Sequence, residues 1–214
     1  MLIRKWDAAL DDQEWRDFLD SHDFGQFVAS GSGRDVPVIV PTHFVYDGVA
    51  TILFHLARAN PVWAALDENP KAVMSVASAY TYIPTAVNGG RDEPAQYGVP
   101  TSYYAAVQAS GNCRLVDGAE LVPILQAQLR HFQPEGGHAP VESGDNPYSR
   151  QFNAIRGIRL EIEEVRAKFK FGGNKTNDHR VQISDWLSLQ PGELAAEARA
   201  NLLRRSKAAE SRNT

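Results

Sequence analysis

An Asp-Gly turn between two strand-like runs constrains the fold of this chain more than any other feature. Residues 36–45 and 49–55 are rich in apolar and β-branched side chains, and Tyr46-Asp47-Gly48 separates them. Such a pair between two apolar runs is the strongest short-range signal of a β-hairpin, since glycine accepts the positive φ of a tight turn. The early part of the chain is therefore predicted to be an antiparallel meander.

Strand patterns recur along the chain in hairpin order. Besides the two runs of the hairpin, residues 24–30, 71–83, 101–115 and 158–171 have strand composition, which gives six predicted strands. Helical segments lie between them, and this order is typical of an antiparallel barrel rather than of a parallel β-α-β sheet. We predict a mainly β, α+β fold, with a six-stranded antiparallel barrel and peripheral helices.

The last of these strands is predicted to be bent. Ile158 and Leu160 alternate inward, whereas Phe169 and Phe171 alternate with the opposite parity. One extra residue near 163–164 restores the alternation, as a β-bulge does.

Helix signals separate the strands. Asn60-Pro61 is a helix start, because Asn is a good N-cap and Pro is tolerated at the first helical position. Asp117 and Glu120 have the spacing of a capping box. The predicted helices are 12–20, 60–68, 117–132, 148–156 (closed by Gly157) and a helix after Pro191, and residues 84–100 are predicted to be a long loop. We divide the chain into a barrel domain, residues 1–189, and a C-terminal helix with a frayed tail, residues 190–214.

Composition excludes several classes of protein. With 214 residues and a net charge of −4, the chain lacks the general positive charge of a nucleic-acid-binding protein. Its one cysteine, Cys113, can form neither an internal disulfide nor a cysteine-rich zinc site. No secretory signal and no apolar run of membrane-spanning length is present, so a cytoplasmic protein is expected. The histidines never occur at i, i+4, and the motifs of P-loops, dinucleotide folds and serine hydrolases are absent.

Residues 54–63 carry the chemistry expected at a phosphate site. They place His55 and Arg58 between the end of a strand and the start of the Asn60-Pro61 helix. A helix N-terminus offers unpaired N–H groups and a partial positive charge, to which these side chains add. The alternative is structural: Arg58 binds a carboxylate and His55 is satisfied within the barrel wall.

Two further clusters have both a functional and a structural interpretation. Thr42 and His43 end the strand before the hairpin turn and, with the next strand, would form a wall for a planar ligand. The alternative is a half-buried strand. In residues 167–175, alternation places Lys168 and Lys170 on one face, and the alternative is a solvated edge strand whose lysines discourage aggregation.

Three runs together resemble the PaiB-type FMN-binding negative transcriptional regulators. They are residues 55–63, 99–107 and 168–174, with the sequences HLARANPVW, VPTSYYAAV and KFKFGGN. The resemblance extends from about Phe24 to about Leu189, and its first run is the most specific. It implies a split barrel similar to that of pyridoxamine-phosphate oxidase, assembled as a homodimer with FMN at the subunit interface.

The resemblance also implies which residues hold FMN. The implied set is Arg58, His55 and Asn60 for the phosphate, Thr42 and His43 along the flavin ring, and Tyr103 or Tyr104 closing the slot. In the same set, Lys170 and Asn174 reach the cofactor late in the chain, and Ala57 is a further cofactor-binding residue. The chain departs from the family pattern at Ser102, Gly172, Gly173 and residues 84–90. These departures lie in or near the expected flavin side.

The function is divided among three hypotheses. The family name indicates a transcriptional regulator, but no basic recognition helix is evident, and the basic run 199–207 is typical of a solvated helix face. A flavin carries its own redox chemistry, so a flavin-dependent oxidoreductase acting on a small molecule is the alternative. A haem-binding split barrel, with His43 or His55 as an axial ligand, is the third.

Overall fold

The computed structural model describes residues 1–90, 94–142, 144 and 147–211 of the chain. The strands in these residues are β1 (Phe24–Ala29), β2 (Val38–His43), β3 (Val45–Tyr46), β4 (Thr51–Ala57), β5 (Lys71–Ile83), β6 (Thr101–Val116) and β7 (Ile155–Lys170). The helices are α1 (Asp12–Ser21), α2 (Val62–Glu68), α3 (Thr85–Asn88), α4 (Val122–Phe132), α5 (Ser149–Phe152), α6 (Asn177–Ser188) and α7 (Glu193–Ser211), with short 3-10 turns at Ala95–Tyr97 and Gly118–Leu121. No helix in this part of the chain is both long and apolar enough to cross a membrane.

The strands form one sheet in the order β2-β1-β5-β6-β7-β4-β3. The sheet confirms the α+β class, but it has seven strands in the described residues rather than the predicted six. The difference arises at Phe44, which divides the predicted strand 36–45 into β2 and β3. Phe44 is fully buried and its N–H donates to the carbonyl of Asp23 at 2.8 Å. The two edge strands, β2 and β3, are consecutive in the chain, an order that is consistent with a split barrel.

The Asp47 hairpin is confirmed. Gly48 has a φ of +79°, and one carboxylate oxygen of Asp47 accepts the N–H groups of Val49, Ala50 and Thr51, each at 2.9 Å. The carboxylate therefore replaces the backbone acceptor that a tighter turn would use. Beyond the turn, β3 and β4 pair antiparallel, with Val45 opposite Leu53 and Tyr46 opposite Ile52.

The chain divides into two compact units. The first comprises residues 1–12, 77–107 and 167–214, and the second comprises residues 13–76 and 108–166. In the first, the N-terminal segment lies along the end of β7, since the Phe169 N–H donates to the Asp7 carbonyl at 2.7 Å. In the second, α4 packs against β4, and its apolar residues form a cluster with the segment that follows: Leu121, Leu125, Val141, Leu129, Tyr148 and Phe152.

Two predicted segments and the role of one glycine require correction. Residues 84–100 are not a continuous loop, because α3 and a 3-10 turn lie within the part that is described; residues 91–93 lie outside it. Helix α5 is shorter than the predicted 148–156, because β7 already begins at Ile155. Gly157 lies inside that strand and does not end a helix. A Cβ at this position would come within 2.6 Å of Val116 and 2.8 Å of Leu121, so the glycine allows these side chains to pack closely against β7.

The change of parity in β7 is confirmed. Ile158 and Leu160 are buried in its first half, whereas Ala167 and Phe169 are buried in its second half. Helix α7 follows Pro191 as predicted, and Ala198 and Leu202 are buried on one side of it. Helix α6 is not among the sequence predictions; it begins after Thr176, whose hydroxyl accepts the N–H of His179 at 3.4 Å.

Candidate functional site

An apolar cavity of about 590 Å³ lies in the second unit, between β4 and α4. Successive side chains of β4 point to opposite faces of the strand. Phe54 and Leu56 point to the buried face, so the side chain of His55 points to the other face, toward the cavity. Aliphatic and aromatic side chains supply most of the wall. The lining residues are His43, His55, Leu125, Gln128, Leu129, Phe132, Gln133, His138, Val141, Tyr148, Gln151, Phe152 and Ile155.

Two imidazoles stand together at this cavity. The β3–β4 register, continued past Val45, brings His43 opposite His55, and their ring centroids are 5.8 Å apart in an edge-to-face arrangement. His43 also packs edge-to-face against Phe132, with the ring centroids 5.0 Å apart. Burial lowers the pKa of His43 and the neighbouring His55 lowers it further, against an opposing effect of Asp23. His43 is therefore held in its neutral form at neutral pH.

Gln128 leaves one polar atom of the cavity without a partner. Its side-chain oxygen lies 2.6 Å from Nδ1 of His55, while its Nε2 is buried without a hydrogen-bond partner in the described structure. Because that oxygen can only accept, Nδ1 of His55 donates, and in the singly protonated tautomer with this bond Nε2 is an acceptor. An unmade hydrogen bond of a buried amide costs about 1–3 kcal/mol. The cavity thus presents one donor and one acceptor that suit a ligand with a polar edge.

The lowered pKa of His43 predicts how stability depends on pH. The unfolded chain binds a proton at the usual histidine pKa of about 6.5, whereas folded His43 does so only at lower pH. The free energy of unfolding therefore declines as pH falls below about 6.5, and the decline levels off past the folded pKa. In His43→Phe this part of the decline is expected to be absent. Urea unfolding at a series of pH values checks this, and parallel curves for the two proteins would contradict it.

At the end of β4, two arginines share one carboxylate. Asp117 accepts from Nη2 of Arg58 at 2.5 Å and from Nε of Arg156 at 3.0 Å. Arg58 follows β4 directly and Arg156 precedes Gly157 in β7, next to the cavity-lining Ile155. The cluster Arg58–Asp117–Arg156 has an excess of one positive charge. Asp117 is not the capping-box residue that its spacing predicted, since it makes no cap hydrogen bond.

The start of α2 is already capped by its own chain. The side-chain oxygen of Asn60 accepts the N–H of Val62 at 3.0 Å, and the carbonyl of Ala57 accepts from the indole N–H of Trp63 at 2.9 Å. Arg58 also donates from Nε to the carbonyl of Asn153 at 3.0 Å. Of the residues predicted to bind an anion, Arg58 is therefore the one that carries a positive charge at the start of α2.

The remaining predicted site residues are distributed between the two units. In the second unit, Thr42 is buried and its hydroxyl donates to the carbonyl of His43 at 3.1 Å, so it lies on the inner face of the strand. In the first unit, Tyr103 is buried, and the Lys168 ammonium lies 5.3 Å from the centroid of the Tyr104 ring. Lys170 donates to the hydroxyl of Thr101 at 2.6 Å. Asn174 is exposed.

The two glycines that depart from the family pattern have a structural reason. Gly172 has a φ of +69°, and a Cβ there would lie 2.4 Å from the Tyr103 hydroxyl. A Cβ on Gly173 would lie 2.2 Å from the carbonyl oxygen of Trp6. The Gly172-Gly173 pair therefore lets the N-terminal segment and Tyr103 approach the end of β7 closely.

The basic run of α7 does not form one solvated face. Arg205 is only 8% exposed and donates to the carbonyls of Trp6 and Ala8. Arg199 donates to the carbonyl of Ser184 at 3.1 Å. Two of the basic side chains in this run are thus directed to their own protein.

Three residues of the site were missed by sequence reasoning. Gln128 carries a detectable signal, because it interrupts the apolar stripe of α4 between Leu125 and Phe132. Asp117 and Arg156 have no such signal in the sequence. Their contact with Arg58 depends on the pairing of β4 with β7, which places Leu56 opposite Arg156.

A family model described as "Putative FMN-binding domain" matches residues 1–164. No curated protein sequence matches the chain.

Solved structures share the fold at low sequence identity. The chain is similar to the FAD and haem binding protein from Mycobacterium smegmatis, with a TM-score of 0.60 and 17% identity over 82% of this chain and 79% of the other. It is also similar to a flavocytochrome from Azotobacter vinelandii, with a TM-score of 0.58 and 17% identity over 84% of this chain and 78% of the other. At this identity the likeness establishes the fold and leaves the ligand open.

Proposed function

The chain belongs to the putative FMN-binding domain family, and on that premise we propose that it binds FMN, with the flavin ring in the cavity of the second unit and the phosphate at the Arg58–Asp117–Arg156 cluster. The observation that carries this proposal is the buried, unpartnered Nε2 of Gln128 in a mostly apolar cavity. The two solved structures whose names include a flavin or a flavocytochrome support it at the level of the fold.

The cavity suits an isoalloxazine ring. Such a ring has apolar faces and a polar edge of carbonyl oxygens and nitrogens. Phe132 and Leu129 supply apolar contacts for the faces, while the amide of Gln128 and the free ring nitrogen of His55 supply a donor and an acceptor for the edge. A ring placed there would satisfy the buried amide nitrogen and exclude water from the apolar wall.

The charged cluster suits a phosphate. A phosphate monoester carries about 1.5 to 2 negative charges and binds guanidinium groups through paired hydrogen bonds. Asp117 now holds both guanidiniums, with its side chain 41% exposed. An ion pair so exposed contributes about 1 kcal/mol or less, so exchange of the carboxylate for a phosphate costs little.

Removal of the competing carboxylate is expected to strengthen FMN binding. In Asp117→Asn, the two arginines face the phosphate without a third charged partner, and the affinity for FMN should rise about threefold to fivefold. Quenching of flavin fluorescence during titration gives the dissociation constant. Glu120→Gln is a matched control, because Glu120 pairs with Arg114 instead. A weaker affinity in Asp117→Asn would contradict the assignment of the phosphate to this cluster.

Of the roles in the sequence analysis, we propose flavin-dependent redox chemistry on a small molecule. Bound FMN supplies electron transfer, and the chain's own residues hold and orient it. Burial raises the pKa of the Cys113 thiol to about 12, so this cysteine is unsuited to act as a nucleophile. The inward-directed Arg199 and Arg205 weigh against α7 as a DNA-recognition helix.

Two assays separate this role from the PaiB-type regulator. Reduction of FMN bound to the protein by NADH or NADPH supports the oxidoreductase. Sequence-specific retardation of DNA that persists at physiological salt would support the regulator instead, since purely electrostatic binding is lost as salt rises.

The homodimer implied by the family resemblance is a separate proposal. Light scattering after gel filtration measures the mass of the protein in solution against the chain mass of 23.6 kDa. A mass of two chains supports an interface site for FMN, and a mass of one chain would limit the site to the residues described above.

Haem is a second candidate ligand, favoured by one observation. The Nδ1 of His55 is held by the oxygen of Gln128, which leaves Nε2 as the ligating nitrogen, and histidines that bind metals are usually oriented in this way. A Soret band formed with haemin and lost in His55→Ala would support haem. His131→Ala is the control, since the exposed His131 pairs with Asp23 at 2.9 Å. An equal Soret band in all three proteins would exclude His55 as the ligand.

A further inference from the structure

A second cavity, of about 660 Å³, lies in the first unit and is lined by cations. Lys5, Arg180 and Arg205 contribute to its wall, together with the aromatic rings of Trp6 and Phe171. Its other lining residues are Ala8, Ala9, Leu10, Gly173 and Ala209. No acidic side chain is among the lining residues that the structure describes.

The arginines of this cavity are fixed in place by backbone carbonyls. Arg205 donates to the carbonyl of Ala8 at 2.8 Å and to that of Trp6 at 3.3 Å. Arg180 donates from Nε to the carbonyl of Lys175 at 3.1 Å and from Nη1 to the hydroxyl of Ser206 at 3.5 Å. A guanidinium has five N–H donors, so these bonds orient the group without exhausting the donors of Arg180.

The wall that carries Trp6 is held by close packing. The absence of a side chain at Gly173 lets the Trp6 carbonyl lie where a Cβ would be only 2.2 Å away. An isolated bridge joins Ala8 to Lys168 in β7, and the Lys168 ammonium donates to the carbonyl of Leu2 at 3.0 Å. The N-terminal segment is thus a fixed wall of the cavity rather than a loose end.

Cationic side chains are present and acidic ones absent among the residues that line this cavity and that the structure describes. Asp7 is buried, 4% exposed, beside the lining segment. Four cationic side chains act on its carboxyl group: Lys168, Lys170, Arg205 and Arg4. Lys5 and Arg180 add further positive charge to the lining.

We propose that the cavity bounded by Lys5, Arg180 and Arg205 binds a small organic anion, a planar aromatic body that carries one carboxylate. The carboxylate pairs with the guanidinium of Arg180, whose planar fork matches its geometry. The aromatic body packs against Trp6 and Phe171. This site is distinct from the proposed FMN site, which lies in the other unit.

Calorimetric titration of the full chain with 2-naphthoate tests the proposal. We expect binding that weakens at least about tenfold in Arg180→Met, because a hydrogen bond to a charged group contributes about 1.5–3 kcal/mol. Lys5→Met should weaken it by a smaller factor, since Lys5 is exposed at the rim. Lys207→Met is the matched control: it removes a positive charge from α7 at a position outside the cavity lining.

Three results would overturn the proposal. They are no measurable heat with 2-naphthoate, equal binding of the uncharged 2-naphthalenemethanol, and an equal loss in Arg180→Met and Lys207→Met. Circular dichroism of each variant shows whether it is folded, and if Arg180→Met is not, Lys5→Met decides alone. Titration of the same variants with FMN keeps the two proposals separate, because FMN affinity should be unchanged in all of them.

Discussion

Arg58→Ala is expected to weaken FMN binding about tenfold to thirtyfold. The substitution removes the guanidinium that we assign to the phosphate. A hydrogen bond to a charged group contributes about 1.5–3 kcal/mol. The Arg58 side chain is 45% exposed, so we use the lower part of that range. Riboflavin lacks the phosphate, so its affinity should change little in the same variant. Titration of both flavins followed by fluorescence gives the two ratios.

Lys170→Ala is the comparison variant for this prediction. The family resemblance implies a contact between Lys170 and the cofactor, but the Lys170 ammonium donates to the Thr101 hydroxyl in the first unit, outside the proposed FMN site. Its effect on FMN affinity should therefore be smaller than that of Arg58→Ala. Equal losses in the two variants, or an equal loss for FMN and riboflavin in Arg58→Ala, would contradict the phosphate assignment.

Gly111→Ala is expected to lower the free energy of unfolding by about 3 kcal/mol. Gly111 lies in β6, where a Cβ would come 1.8 Å from the carbonyl oxygen of Glu161 and 3.1 Å from the backbone nitrogen of Glu163. Backbone atoms cannot rotate away as a side chain can, so β6 and β7 must separate locally. For a chain of this size, such a loss lowers Tm by about 6–12 °C.

Gly90→Ala is the matched control for this loss of stability. A Cβ on Gly90 meets nothing within 4 Å, and its φ lies outside the left-handed region. Alanine there should leave Tm unchanged or raise it slightly, because it restricts the unfolded chain. Thermal unfolding of the two variants side by side provides the measurement. A similar Tm for Gly111→Ala and the parent protein would mean that β6 and β7 are spaced more widely than described.

The local β structure could be predicted because its signals are local. The Asp47-Gly48 pair fixes a hairpin, and the change of side-chain parity along β7 follows directly from the order of its residues. The break at Phe44 could not be predicted, because it depends on a contact outside the hairpin, the bond from the Phe44 N–H to the Asp23 carbonyl. Ala79 is a similar case: its positive φ of 55° is stabilised by Glu197, distant in sequence, whose carboxylate accepts the Ala79 N–H at 3.1 Å.

The candidate site was predictable in part, for the same reason. His43 and His55 lie on the two arms of a hairpin that the sequence signals, whereas their position opposite each other depends on the register of β3 and β4, which the sequence did not predict. The position of α4 against β4 has no local signal, so the cavity and the role of Gln128 emerge only from the tertiary structure. The partner of Arg58 was foreseen as a carboxylate in one of the two interpretations, but its identity as Asp117 depends on long-range pairing.

FMN binding by this chain can be measured from visible absorption after incubation with FMN and gel filtration. We expect the protein fraction to carry the bands of oxidised flavin at one flavin per chain. Gln128→Leu, which removes the polar atom proposed to face the ring, should retain less flavin. A colourless protein fraction at every FMN concentration would mean that the chain does not bind FMN.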